Sequence, residues 1–222
     1  MNLRVFPGGP AIAREAVARI LASASASLES RGVFRLVLAG GSTPRLAYEL
    51  LAQANRDWQG WQFYLGDERC LPAEHPARNS RMLDQALFSH ITVEAEQIHM
   101  IPAQLGAEAG ATAYTEIIQD VLPFDLVLLG LGEDGHTASL FPGHQHPPDA
   151  LVVPVHEAPK PPPERISLGY GALSSARQAL FLVSGAGKRP ALAAWRAGAD
   201  IPAAHVRAGE VMVFADEAAA GD

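Results

Sequence analysis

Short runs rich in β-branched and aromatic residues recur along the chain: Leu3 to Phe6, Phe34 to Ala39, Trp61 to Leu65, Phe124 to Leu129, Leu151 to Val155, Arg165 to Leu168, Ala179 to Val183 and Val211 to Phe214. Each predicts a β-strand. Several are apolar throughout, such as Leu126-Val127-Leu128-Leu129, as expected of strands buried on both faces of a mainly parallel sheet. Between them the apolar positions switch to helical spacing, at Ala13, Val17, Ile20, Leu21, Ala24 and Leu28, then at Leu46, Leu50 and Leu51, then at Tyr114, Ile117, Ile118 and Val121. The alternation predicts an α/β protein, a three-layer α/β/α sandwich with helices on both faces of the sheet. The stretch from Pro142 to Pro163 is rich in Pro and His, but a strand interrupts it and too little chain follows for a second core. It reads as a long functional loop within one domain spanning residues 1–222.

Composition narrows the partners. Seventeen Lys and Arg against 24 Asp and Glu give a net charge of -7, so no nucleic-acid or anionic-membrane surface is expected. An anionic substrate must therefore be held by locally gathered Arg and Lys. Cys70 is the only cysteine, which excludes an intrachain disulfide and fits a reducing compartment. The opening residues lack the apolar run of a signal peptide, and nothing approaches the roughly 20 consecutive apolar residues of a membrane span. The expectation is a soluble, cytoplasmic protein.

Four segments, each following a predicted strand, can carry chemistry. In Gly40-Gly41-Ser42-Thr43-Pro44-Arg45 the glycines allow close backbone approach, Thr43 is a candidate cap with Pro44 at the first helical position, and the exposed amides favour a phosphate. Gly66-Asp67-Glu68-Arg69 places two carboxylates and a cation where parallel sheets border their ligand crevice, although on its own the segment reads more readily as a solvated ion-pair cluster. Gly130-Leu131-Gly132-Glu133-Asp134-Gly135-His136 mimics a dinucleotide fingerprint, but Pro142, Pro147 and Pro148 leave no room for the crossover helix. It offers instead His136, near an expected helix start and beside Asp134, as a base suited to neutral pH. Ser184-Gly185-Ala186-Gly187-Lys188-Arg189 is not a Walker A loop, since Arg189 stands where Ser or Thr is required, yet Lys188 is a credible phosphate contact. His144 and His146 with His136 do not form a metal-ligand set at convincing spacing, and nothing near Cys70 in sequence would activate it.

Taken together these segments resemble the 6-phosphogluconolactonase family. The likeness runs over most of the chain, through Ala39 to Pro44, Gly66 to Arg69 with Asn79, Gly130 to Pro142, Lys160 to Leu168, and Ser184-Gly185 with Lys188. It implies a modified Rossmann-type fold shared with the glucosamine-6-phosphate deaminases, 6-phosphoglucono-1,5-lactone as substrate, a place in the oxidative pentose phosphate pathway, a monomer, and neither metal nor organic cofactor. Ser167-Leu168-Gly169-Tyr170-Gly171 departs from the Thr-Leu-Thr-like stretch common in the family. Against the deaminase alternative, Arg69 stands where those enzymes carry tyrosine, and Thr137 to Pro142 lacks their acidic residue. A non-catalytic sugar-phosphate sensor is the other alternative; the chain has no spare residues for a DNA-binding segment.

The mechanism implied makes His136 the general base toward water, with Asp67 orienting either the histidine or the sugar. Phosphate recognition falls to Gly41, Ser42 and Thr43 with Arg45 and Lys188, joined by Arg69 or Arg165. The donor that stabilises the oxyanion is left open, with the amides of Gly132 to Gly135 as one option.

Overall fold

The computed structural model describes residues 1–54 and 56–221. Among the described residues there are ten strands: β1 (Asn2–Phe6), β2 (Phe34–Leu38), β3 (Trp61–Leu65), β4 (Asp67–Arg69), β5 (Ile98–His99), β6 (Leu126–Gly130), β7 (Val152–Val155), β8 (Arg165–Leu168), β9 (Gln178–Val183) and β10 (Glu210–Asp216). The helices are α1 (Gly9–Arg31), α2 (Ser42–Leu51), α3 (Asn79–Ala86), α4 (Ala107–Ile118), α5 (Tyr170–Ser175), α6 (Arg189–Arg196) and α7 (Glu217–Ala220). Seven strands form one parallel sheet in the order β1-β10-β9-β6-β2-β3-β5, flanked by helices as the alternation predicts. Its central strands are the most apolar, and Leu36, Val37, Leu126 to Leu128, Leu180 and Phe181 are fully buried.

Two predicted strands lie elsewhere. β7 and β8 join β4 in a small antiparallel sheet, ordered β4-β8-β7. Pro154 sits in β7, the edge of that sheet, where the absent N–H removes no ladder bond. β4 carries only charged residues and β5 is two residues long, so neither has a hydrophobic period to announce it. Gly66 joins the two sheets: its N–H donates to Leu38 in β2 at 2.9 Å and its carbonyl accepts from Leu168 in β8 at 2.8 Å.

The strand order reverses between β2 and β6. From β2 the chain builds outward through β3 and β5, then returns to place β6 on the other side and builds away through β9 and β10. The carboxyl ends at such a reversal leave a crevice. Two tyrosines keep the strand exits orderly there. Tyr48 from α2 donates to the Ala39 carbonyl and accepts from its N–H at 3.0 and 2.9 Å, and Tyr114 from α4 does the same for Leu65. Both phenols are fully buried, and burial drives their pKa values above the ordinary range. Without them a buried N–H and C=O at each exit would go unpaired, at about 1–3 kcal/mol per group.

Three local expectations change. α2 begins at Ser42, with Gly41 as the cap at φ 110°, so Thr43 and Pro44 lie inside the first turn and no side chain caps it. Only glycine adopts that backbone without strain, and it starts the helix earlier than Thr43 would. After β6 no helix forms at all: Gly135 and Ala138 take positive φ, and the segment folds as turns closed by a bridge between Thr137 and Leu140. His136 therefore sits in a tight loop, not at a helix start. Val121 lies past the end of α4 at Ile118.

Candidate active site

A cleft of about 380 Å³ opens at the reversal point, within the range of small-ligand sites. Five segments line it: the β2 exit with the start of α2, the β3 exit with Asn79, the β6 exit through His136, the β9 exit through Lys188, and Lys160-Pro161 with Arg165 from the small sheet.

His136 is the chemical centre. Its Nδ1 lies 2.5 Å from Asp134 Oδ1, which also accepts from the His136 backbone N–H at 3.1 Å. A carboxylate only accepts, so Nδ1 carries the proton and Nε2 keeps its lone pair. Nε2 has no hydrogen-bond partner among the described residues. Burial pushes the imidazole below its ordinary pKa of 6.5, the bond to Asp134 opposes that, and the charge of Lys160 adds to it. Burial also works against the Asp134 charge, but the bonds from His136 outweigh it and hold the carboxyl below its ordinary range. A neutral, oriented base at neutral pH results. Gly132 makes the pair possible: a Cβ there would lie 2.0 Å from His136 Nδ1 and 2.5 Å from Asp134 Oδ1.

Asp67, at the exit of β3, is buried and does not bond to His136. Its Oδ2 accepts from Ser139 at 2.6 Å and its Oδ1 from Asn79 Nδ2 at 3.0 Å. Burial raises its pKa, with the Ser139 bond working the other way. Gly40 leaves room for Asn79, whose Oδ1 would be 2.2 Å from a Cβ at that position. Glu68 does not line the cleft. Fully buried, it accepts from the N–H groups of Arg69, Asn79 and Ser80, and so anchors the start of α3.

The cations divide. Lys188 lines the cleft at the end of a short turn, after Ser184 and Gly185, which Asp216 fixes by accepting from Ser184 Oγ at 2.5 Å and from the Gly185 N–H at 3.0 Å. Gly41, Ser42 and Thr43 present the uncapped start of α2 to the same cleft. Arg69 lines it too; one Nη donates to the Ala77 carbonyl and its buried Nε has no partner among the described residues. Arg45 does not line the cleft. One turn into α2 it points outward and pairs with Glu49 at 2.9 Å. Arg165 reaches the cleft, but its donors go to protein acceptors. Lys160, Asn79, Ser139 and Ser184 were visible in the sequence only as parts of larger motifs.

The other candidates stand apart. His144 and His146 stack on each other 6.0 Å apart and do not line the cleft, and among the described residues no three potential ligands gather as a metal site. The Cys70 thiol is pushed up to about 11, mainly by burial, and also lies off the cleft. No helix among the described residues is long and apolar enough to cross a membrane.

Fold and cleft together define an α/β protein with a polar crevice at the strand-order reversal, lined by cationic side chains, the start of α2 and an oriented histidine. A family model described as glucosamine-6-phosphate isomerases/6-phosphogluconolactonase matches residues 9–214. The chain is 36% identical over 225 residues to the 6-phosphogluconolactonase of Mycobacterium tuberculosis, covering 91% of this chain and 90% of that protein. It is 32% identical over 203 residues to the 6-phosphogluconolactonase of Nostoc sp., covering 86% and 83%. Among solved structures, 6-phosphogluconolactonase from Thermotoga maritima aligns with a TM-score of 0.90 at 29% identity, covering 97% of this chain and 99% of that one. A monomeric glucosamine-6-phosphate deaminase shares the fold, with a TM-score of 0.87 at 23% identity. The chain belongs to the glucosamine-6-phosphate isomerase/6-phosphogluconolactonase family.

Proposed function

We propose that the chain hydrolyses 6-phosphoglucono-1,5-lactone to 6-phosphogluconate, the step of the oxidative pentose phosphate pathway that consumes the lactone. The observation that carries this reading is the His136–Asp134 pair, set in a cleft that also presents helix-start amides and cations suited to a phosphate. The relatives named as 6-phosphogluconolactonases support the substrate.

The phosphate rests on the start of α2 at Gly41, Ser42 and Thr43, with Lys188 and Arg69 closing on it. Charge-assisted contacts of this kind fix the far end of the sugar and so the position of C1. His136 Nε2 takes a proton from the water that attacks C1. The imidazolium, held by Asp134, then returns that proton to the ring oxygen as the ester bond breaks. Asp67, held by Ser139 and Asn79, faces the sugar rather than the histidine. Water is the only co-reactant.

The test is a rapid assay on freshly generated lactone, with uncatalysed hydrolysis subtracted and EDTA present. The expected result is acceleration that survives the chelator and falls about 100-fold or more in His136→Ala, with substrate affinity little changed. Near-normal turnover in a folded His136→Ala protein would refute the base assignment. No acceleration by the folded wild type would refute the lactonase reading itself and make glucosamine 6-phosphate the next substrate to try.

A further inference from the structure

Arg165 is a buried arginine in the wall of the cleft, yet few of its donors are free to meet a ligand. Its Nε donates to the Pro162 carbonyl at 3.0 Å, and its Nη2 donates to the Lys160 carbonyl at 2.6 Å and the Pro161 carbonyl at 3.4 Å. Its Nη1 reaches Ser139 Oγ at 3.5 Å, and the guanidinium lies over the Phe141 ring, 5.4 Å from the centroid. Three successive carbonyls thus gather on one planar group, an arrangement that a point charge such as lysine cannot reproduce. The backbone at Lys160 is pinned in consequence, while its exposed side chain lines the cleft and forms no ion pair among the described residues.

Lys160 lines the cleft on the side that packs toward His136. Its charge bears directly on His136, and its anchor Arg165 packs on Phe141, whose ring contacts His136 at 4.6 Å between centroids. Lys188 belongs to a different loop, the one that follows β9 and carries Ser184 and Gly185. A lactone with a phosphate at C6 needs cationic help at two separated places, at the phosphate throughout and at the C1 carbonyl oxygen only during reaction. The first is served by the start of α2 with Lys188 and Arg69. For the second, the amides of Gly132 and Gly135 are already spent, on the carbonyls of His136 at 2.7 Å and Gly132 at 3.1 Å.

We propose that Lys160 is the catalytic residue that stabilises the oxyanion on C1, and that Arg165 is a positioning residue that holds it there. This rests on the lactonase reading above. Water oxygen bonds to C1 as Nε2 of His136 takes the proton, and the carbonyl π pair moves onto the exocyclic oxygen beside the Lys160 ammonium. The pair then returns to re-form the carbonyl, the C1–ring oxygen bond breaks, and the ring oxygen leaves with its electrons and takes the proton from His136. The carboxylic acid so formed loses its own proton to solvent. In the intermediate the charges alternate along the site: ammonium, oxyanion, imidazolium, carboxylate of Asp134. Each neighbour is attractive, whereas before reaction Lys160 repels a protonated His136 and keeps the base free.

The test compares wild type with Lys160→Met, Lys160→Arg and Arg165→Lys, measuring kcat, KM, the pH profile of kcat/KM, and calorimetric binding of 6-phosphogluconate. Lys160→Met is expected to lose roughly 100-fold in kcat, as for loss of one oxyanion donor, with KM and product binding changed by less than about threefold. Its acid limb should move to higher pH, because removing the ammonium lets His136 hold its proton longer. Lys160→Arg should restore part of kcat and return the limb toward wild type. Arg165→Lys should lower kcat, and combined with Lys160→Met should cost no further turnover, because both act through one group. A Lys160→Met protein with normal kcat overturns the proposal, as does one whose defect lies in product binding alone. A wild type without lactonase activity refutes the underlying reading instead. Lys160 is exposed, so its variants stay informative even where Arg165→Lys does not fold.

Discussion

Replacing Asp134 by Asn isolates the partnership on which the base depends. Asp134 Oδ1 accepts two bonds, from the His136 backbone N–H at 3.1 Å and from Nδ1 at 2.5 Å. An asparagine oxygen in the same place can accept both, and the loop geometry tolerates Asn, so the fold should hold. What is lost is the charge. A hydrogen bond to an ionised group contributes about 1.5–3 kcal/mol against 0.5–1.5 for a neutral pair, a difference of about 1–1.5 kcal/mol. That deficit falls on the imidazolium formed during reaction, so kcat should drop about tenfold from this source, and further where the amide lets the ring turn. The pH profile carries the sign. Asp134 raises the proton affinity of His136 against the effects of burial and of the Lys160 charge; removing its charge leaves these less opposed and lowers the pKa. Activity that needs neutral His136 should then persist to lower pH, and the acid limb of kcat/KM should move down even as the plateau falls. Initial rates on fresh lactone, taken from about pH 5 to 8 with the spontaneous rate subtracted at each point, give both quantities. An unchanged plateau, or a limb displaced upward, would show that Asp134 only shapes the turn and does not act on the imidazole.

Two further outcomes follow from steric and electrostatic facts at the cleft. Gly132→Ala places a Cβ on the His136–Asp134 pair, so turnover should fall about 100-fold, the scale of losing the base, while a thermal melt stays near wild type because the displaced loop is partly exposed; normal turnover would mean the pair is not needed as drawn. Lys188→Ala should raise KM about tenfold or more, as expected for one lost charged contact, whereas Arg45→Ala, already paired with Glu49 outside the cleft, should leave it within about twofold. A Lys188→Ala defect confined to kcat would count against a purely phosphate-binding role.

Most of the sheet was legible because its central strands must be apolar on both faces: Leu36 to Leu38, Leu126 to Leu129 and Ala179 to Val183 admit few other readings. The sequence did not say that β7 and β8 leave that sheet. Pro154 and the charged β4 mark a separate edge, but hydrophobic period alone carries no pairing partner. At the site, the strand-exit segments were legible because each carries glycines and polar groups directly after a buried strand. The division of labour among the cations was not. Arg45 and Arg165 have the composition of phosphate ligands, and only geometry shows one facing Glu49 and the other spent on three carbonyls. Lys160 was obscured for the converse reason. A lysine among four prolines has no period to place it, and its position depends on Arg165, five residues away and in the next strand.

The same logic explains why the two glycines that matter most at the cleft are not those that shape turns. Gly41 and Gly135 are needed for positive φ, which a sequence containing Gly-Gly or Asp-Gly already suggests. Gly40 and Gly132 are needed for space. A Cβ on one would strike the side chain of Asn79, and on the other that of His136, and both side chains arrive from positions the local motif does not specify as neighbours. Asn79 holds Asp67 and His136 is the proposed base, so each glycine leaves the volume in which one wall of the site is assembled. The glycine-rich motifs therefore serve twice, once in turning the chain out of a buried strand and once in letting a catalytic side chain lie flat against the backbone. Substitution by alanine separates the two roles: at Gly41 it strains the backbone, and at Gly132 it should leave the fold and remove the chemistry.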